Sequence, residues 1–221
     1  MLLASLQNAD SFFPSGGVSF SWGLETLIAD GAVGGAEQVD AYVEGQLRYR
    51  WAICDRVALV AAMRASGDIL RLQDIDAELE AMTLAMELRE GSQRAGASLL
   101  TVHERLGTPG AAQYRIAIRT GNAHGHLPVV QGLLWCGAGL SETAVEAASA
   151  HVFCVGMLGA ALRLGSIGHI QGQETLLRIR PVIVELLSVP ALPMEEISAC
   201  APAGEIAAMR HEVQSARLFA N

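Results

Sequence analysis

The chain reads as an all-α, single-domain bundle of roughly eight to ten helices. Apolar residues recur every three or four positions through most of its length, the spacing of amphipathic helices. Glycine and alanine are plentiful while aromatics make up only 5%, which favours closely packed helices over an aromatic-rich sandwich. One segment alone alternates as a strand would, and a single strand has nothing to pair with. The 221 residues contain no linker rich in proline, glycine or serine and no abrupt change of composition, so one domain spanning 1–221 is expected.

Between Glu37 and Ser66 the series Val39, Val43, Leu47, Trp51, Cys54, Ala58 marks one apolar face, with Glu44, Arg48 and Asp55 on others. This predicts a long amphipathic helix with its bend near Trp51. From Ile69 to Arg105, the positions of Leu72, Ile75, Leu79, Met82, Met86, Leu99 and Leu100 predict two helices or one interrupted helix, with Gly91 and Gly96 as weak points. Thr108-Pro109 is a helix-start signal, a hydroxyl cap followed by proline at the first helical position. Tyr114 to Arg119 is the alternating segment; as a strand its backbone groups would go unsatisfied, so that reading is set aside. Thr143-Ala144-Val145-Glu146 reads as a capping box opening an apolar helix that runs to Leu164. Within it Gly156 and Ala160 lie four apart and leave room for close backbone approach, with ordinary tight packing as the simpler reading.

Charge excludes several function classes. The formal net charge of −8 is the wrong sign for a phosphate-backbone partner, so nucleic acid is not expected. All fifteen basic residues are arginine, which rules out a phosphate-loop lysine, a Schiff-base lysine and a lysine general base. Arginine instead suits planar, bidentate recognition at interfaces. The start, Met1 to Leu6, lacks a secretory signal's basic region, and the uncharged apolar run Val152 to Leu162 is short of the roughly 20 residues that span a bilayer. A soluble, cytoplasmic protein without a membrane partner is expected. Its cysteines, Cys54, Cys136, Cys154 and Cys200, are widely spaced and read as free thiols.

Candidate chemistry is sparse. His124-Gly125-His126 offers two imidazoles without a third ligand at fixed spacing, and a polar loop is the default. His151 and Cys154 have ligand-like spacing but sit among apolar residues, which favours a packed core position. His103-Glu104 and His211-Glu212 lack the second histidine of a zinc-protease helix. Ser15 has neither a preceding strand nor an assigned base. The run Asp74, Asp76, Glu78, Glu80 reads as a solvated face. No catalytic constellation emerges, and a binding or scaffolding role is indicated; the alternative class is a metal-dependent helical hydrolase, which would need scattered histidines and carboxylates to converge.

Several segments nevertheless fall in a telling order: Phe13-Pro14-Ser15-Gly16-Gly17, Gly23-Leu24-Glu25, Glu87-Leu88-Arg89-Glu90, Arg163-Leu164-Gly165 with Gln171-Gly172-Gln173, and His211-Glu212 with Arg217-Leu218-Phe219. Together they resemble the urease accessory protein F family over essentially the whole chain. The chain departs from that pattern at Val18, His151, Phe153, Gly156, Ser215, Ala216 and Asn221. The resemblance implies an all-helical homodimer that is not itself an enzyme. It implies binding of urease accessory protein D (also called H), recruitment of the GTPase accessory protein G, and coupling of GTP hydrolysis to nickel delivery into apo-urease. Nickel would be handled by the assembled complex, so no cofactor, metal ligand or catalytic residue is assigned to this chain. Partner-binding roles carry over to Glu25, Arg89, Arg163, Gln173, His211, Glu212, Arg217, Leu218 and Phe219, with 203–221 as a C-terminal partner-binding segment. Two readings of that tail stand: a last turn docked on the protein's own core, or, favoured, a segment that orders when the D partner binds. On the second, truncation after Gln214 leaves stability nearly unchanged and weakens the partner complex by at least about 2 kcal/mol.

Overall fold

The computed structural model describes residues 2–14, 20–214 and 218–219, and every regular element among them is helical. Ser15, Gly16, Gly17, Val18, Ser215, Ala216, Arg217 and Asn221 lie outside the described residues. In order come α1 (Leu2–Ala9), α2 (Leu24–Ala29), α3 (Ala36–Gln46), a π-helical stretch (Leu47–Asp55) and α4 (Arg56–Arg64). They are followed by α5 (Ile69–Met82), α6 (Met86–Arg105), α7 (Ala111–Arg119), α8 (Leu127–Gly137) and α9 (Glu142–Arg163). Last come α10 (His169–Leu187), a 3-10 turn (Met194–Glu196) and α11 (Pro202–His211).

The expected long helix forms as one rod, α3 through α4, and where a bend was anticipated at Trp51 the helix widens instead. The broader turn puts Arg50 and Asp55, five residues apart, in contact at 3.2 Å, and both are buried. Burial pushes the Asp55 carboxyl above its usual range, against the pull of Arg50. Trp51 donates its indole N–H to Ser149 Oγ at 3.1 Å, tying the rod to α9.

The break between α5 and α6 falls at Thr83–Ala85, not at a glycine. Gly91 and Gly96 are buried inside α6; a Cβ on Gly96 would stand 2.0 Å from the Gly125 carbonyl oxygen, so the glycine admits a loop instead of weakening the helix. That loop corrects the reading of the acidic run. Asp76 is wholly buried, and its carboxylate accepts the amides of His124 (2.6 Å), Gly125 (2.7 Å) and His126 (3.0 Å). Glu80, from the same run, bonds His126 Nε2 at 2.7 Å and pairs with Arg89 at 3.2 Å. Burial lowers the His126 imidazole's proton affinity, opposed by Asp76 and Glu80.

Thr108 does not cap α7. Its hydroxyl bonds His103 Nδ1 at 2.9 Å, and α7 opens later, behind Gly110. Tyr114 to Arg119 is helical, within α7. The cap of α9 is Ser141, whose Oγ accepts the Ala144 amide at 3.4 Å, two residues before the expected box; Glu146 is spent on Arg56 at 2.8 Å. Nothing approaches the position a Gly156 Cβ would take, so neither close backbone approach nor the tight packing read as the simpler case is found there. His151 is exposed while Cys154 is buried, so the two do not share a core position.

Two large apolar clusters make most of the core, and a small third one joins Ala85, Leu88 and Ala208. One gathers residues of α4 to α8 with the start of α9, including Leu59, Leu99, Tyr114 and Leu133. The other gathers α2, α3, the π stretch, the rest of α9 and α10, including Leu24, Trp51, Met157 and Ile179. α9 and the rod pass through both, which makes them one body. By length and composition α9 is long and apolar enough to cross a membrane, more than the Val152–Leu162 run implied, but 61% of its apolar window is buried within the protein. All four cysteines are free thiols; burial pushes Cys54 and Cys154 up to about 12.

Asp76→Ala would strand three N–H groups, two of them in the buried residues Gly125 and His126, and urea unfolding should register a loss of about 3 kcal/mol. His103 provides a pH test. It is buried, bonds Asn8 Oδ1 at 2.9 Å and Thr108, and is pushed from 6.5 down to about 4 by burial. The unfolded chain therefore binds a proton that the folded protein resists. The stabilising contribution of neutral His103 should be complete above pH 6.5 and decline as the pH falls to about 4, by on the order of 3 kcal/mol. His103→Gln should flatten that part of a stability–pH profile.

Candidate functional site

The most organised polar cluster joins the two ends of the chain. Trp22 and Gly23 make a turn with positive φ at both residues, 57° and 83°. The conformation is strained for tryptophan, at a cost of about 1 kcal/mol. The Trp22 carbonyl is held by the Tyr42 hydroxyl, and the indole lies 5.4 Å from the Phe153 ring at a tilt of 53°. The turn launches α2 with Glu25 directed inward. Position 23 must be glycine for a second reason: a Cβ there would lie 2.5 Å from the Gly204 carbonyl oxygen, where α11 crosses.

α11 brings His211 to Glu25. The imidazole is fully buried, with Nε2 3.0 Å from Glu25 Oε2 and Nδ1 2.8 Å from Glu87 Oε2 on α6. The Glu25 carboxylate also accepts the backbone amides of Leu218 (2.7 Å) and Phe219 (3.1 Å). Phe219 is 5% exposed in the second core cluster, and the Arg163 guanidinium stands 4.2 Å from its ring centroid. Such a cation–π contact adds about 0.5–2 kcal/mol.

The outer side of α11 has the opposite composition to most surface helices. Gly204, Ala207, Ala208 and His211 face inward, while Pro202, Ile206, Met209 and, in the following turn, Val213 face out at helical spacing. Ile206 is 56%, Met209 41% and Val213 87% exposed, and Leu218 adds a further 63%. Arg210, on the flank, is engaged by Asp30 at 2.6 Å. The larger apolar groups of this helix therefore meet solvent, and the small ones meet the core.

Of the residues carried over from the resemblance, the structure brings Glu25, Arg163, His211, Leu218 and Phe219 together. Arg89 stands apart, closing the α5–α6 break through the carbonyls of Thr83 (2.7 Å) and Leu84 (2.8 Å). Gln173 is exposed on α10, Glu212 is half-buried just past α11, and Arg217 lies outside the described residues. Sequence reasoning passed over Glu87, although it quoted the segment, and over Ile206, Met209 and Val213, whose spacing was the available signal. It favoured a tail that orders on a partner over one docked on the protein's own core; His211 and Phe219 are interior, as the second of those readings has it, while the Leu218 side chain stays exposed. No group of three or more histidine, cysteine or acidic side chains among the described residues is placed to hold a metal ion. A groove of about 770 Å³ is lined by Ser66, Glu104, Thr108, Gln113, Leu133 and Cys136 among others, none of them part of the cluster.

Fold and site define an all-helical, single-domain protein with an apolar face held in place by a buried carboxylate–imidazole–carboxylate clamp. Residues 33–180 match the UreF family model. The chain is 35% identical to the urease accessory protein UreF of Trichodesmium erythraeum (strain IMS101), over 99% of this chain and 96% of that one. It is 31% identical to the UreF proteins of Haemophilus influenzae (strain ATCC 51907 / DSM 11121 / KW20 / Rd), with 98% and 94% covered, and of Bacillus sp. (strain TB-90), with 99% and 98% covered. The chain belongs to the UreF family of urease accessory proteins.

Docking of the tail reverses the earlier expectation for truncation. Ending the chain at Gln214 would vacate the Phe219 site and leave Glu25 short of two donors. Urea unfolding of the truncated protein should then show a loss of roughly 2–3 kcal/mol, where a free tail would leave stability unchanged.

Proposed function

We propose that this protein is a non-enzymatic scaffold of urease maturation that binds accessory protein D (H), recruits the GTPase accessory protein G, and so couples GTP hydrolysis to nickel delivery into apo-urease. The nucleotide belongs to the partner, consistent with a chain that has no lysine for a phosphate loop. The reading includes a cytoplasmic homodimer. Nickel is cargo of the assembled complex.

The observation that carries this reading is the outward apolar face of α11, Ile206, Met209 and Val213 with Leu218 beside them. A helix that turns its larger apolar groups outward gains little from its own fold by doing so, and such patches mark protein contacts. The occupant we assign is accessory protein D (H), with 203–221 as the docking segment. Glu25, His211, Phe219 and Arg163 act from beneath by holding that segment, and Leu218 acts at the surface. Arg89, Gln173, Glu212 and Arg217 remain assigned to partner contacts on the family resemblance.

The test is the double variant Ile206→Ser, Val213→Ser. Both sites are exposed, so thermal stability should stay within about 0.5 kcal/mol of the parent. Calorimetry should record a loss of at least about 2 kcal/mol in binding accessory protein D (H), and urease activation should fall with it. Wild-type affinity in the double variant would refute the assignment of this face.

A further inference from the structure

The inward face of α11 has little to hold it by packing. Gly204, Ala207 and Ala208 bury only two methyl groups between them, with Ala208 against Ala85, Leu88 and Trp22, so apolar burial alone gives the helix a modest hold. Directional restraint comes from His211, whose two ring nitrogens each meet a carboxylate from a different helix, Glu25 of α2 and Glu87 of α6. Glu25 is shared: Oε2 takes the imidazole and the Phe219 amide, and Oε1 takes the Leu218 amide. The helix and the tail are thus held by one carboxylate.

We propose that His211 is a positioning residue for the docking surface: by fixing Glu25 it sets α11 and Leu218–Phe219 in one arrangement, so that a partner seated on the outer face depends on a ring it never touches. The inference rests on the reading that this face binds accessory protein D (H). Without the imidazole, two buried carboxylates of like charge lose the group between them, and Glu25 can no longer stay where it accepts both tail amides. Loss of a ring on α11 is thereby felt at residues 218 and 219, with which that ring makes none of the described hydrogen bonds.

The experiment uses the full-length protein and purified accessory protein D (H). His211→Ala should keep a helical spectrum, speed amide exchange at Leu218 and Phe219 by about tenfold or more, and weaken partner binding by a similar factor. Glu25→Gln keeps one acceptor oxygen and sets an amide donor against the other tail N–H, so it should speed exchange at one of Leu218 and Phe219 and weaken binding, whereas Glu25→Ala, which leaves both amides without an acceptor, should do more. A merely space-filling role would leave Glu25→Gln indistinguishable from wild type, because the two side chains have the same shape, and that result overturns the proposal. Unchanged exchange at Leu218 and Phe219 in His211→Ala, or unchanged partner binding in that variant while Ile206→Ser, Val213→Ser binds weakly, overturns the proposal. If the outer-face variant binds normally, the docking-face reading falls and this inference with it, a result recognisable because its tail exchange is also normal. Should His211→Ala not fold, Glu87→Ala decides by the same two readouts, with a tenfold change expected and no change overturning it.

Discussion

The π-helical stretch Leu47–Asp55 is the constraint on which the rest of the molecule depends. In an α-helix, residues five apart lie about 140° apart around the axis; the wider turn brings Arg50 and Asp55 to the same side, where they neutralise each other in the core. The altered ladder also leaves backbone carbonyls available. Tyr49 and Ile53 accept the amides of Cys200 and Ser198, both at 3.1 Å, which lays the segment after α10 along the rod. That segment delivers the chain to Pro202. Gly204 then fits against Tyr42 and Gln46, one turn before the π stretch, where any Cβ would collide with their side chains. The direction of α11, and so the exposure of Ile206 and Val213, follows from where the rod stops being an α-helix.

A chain without lysine must satisfy its buried charges with arginine and histidine, and the planar guanidinium suits the task because its donors diverge in a fixed fork. Arg56 is nearly inaccessible, yet it donates to Glu146 on α9 at 2.8 Å and to the carbonyls of Leu186 (2.9 Å) and Val189 (2.8 Å) at the end of α10. It joins three helices and closes the last carbonyls of one. Buried pairs of this kind add little net stability, since desolvation offsets attraction, but breaking one is costly. Their value here is register: α4, α9 and α10 meet in one arrangement because the others leave a charge unpaired.

Helix existence was legible in the chain and helix ends were less so. The apolar series Val39 to Ala58 and Leu72 to Leu79 put their residues on core faces as their spacing required. Local signals failed where another partner outbid them: the Thr108 hydroxyl went to His103, five residues back, and Glu146 went to Arg56, 90 positions away. Asp76 looked like one member of a solvated acidic face because nothing local reveals that three amides some 48 to 50 positions away converge on it. Glu87 was hidden in the same manner, its significance depending on a histidine 124 positions later.

By itself the sequence determined an all-helical protein, the family it belongs to and the absence of lysine chemistry, because periodicity, ordered motifs and composition are properties of the chain read along its length. Tertiary structure alone decided that His211 lies between Glu25 and Glu87, that Phe219 turns into the core, and that α11 carries its larger apolar side chains outward. Those outcomes depend on which helix crosses which and at what depth. Such crossings are set by contacts between residues far apart in sequence, whose burial and pairing no local spacing encodes.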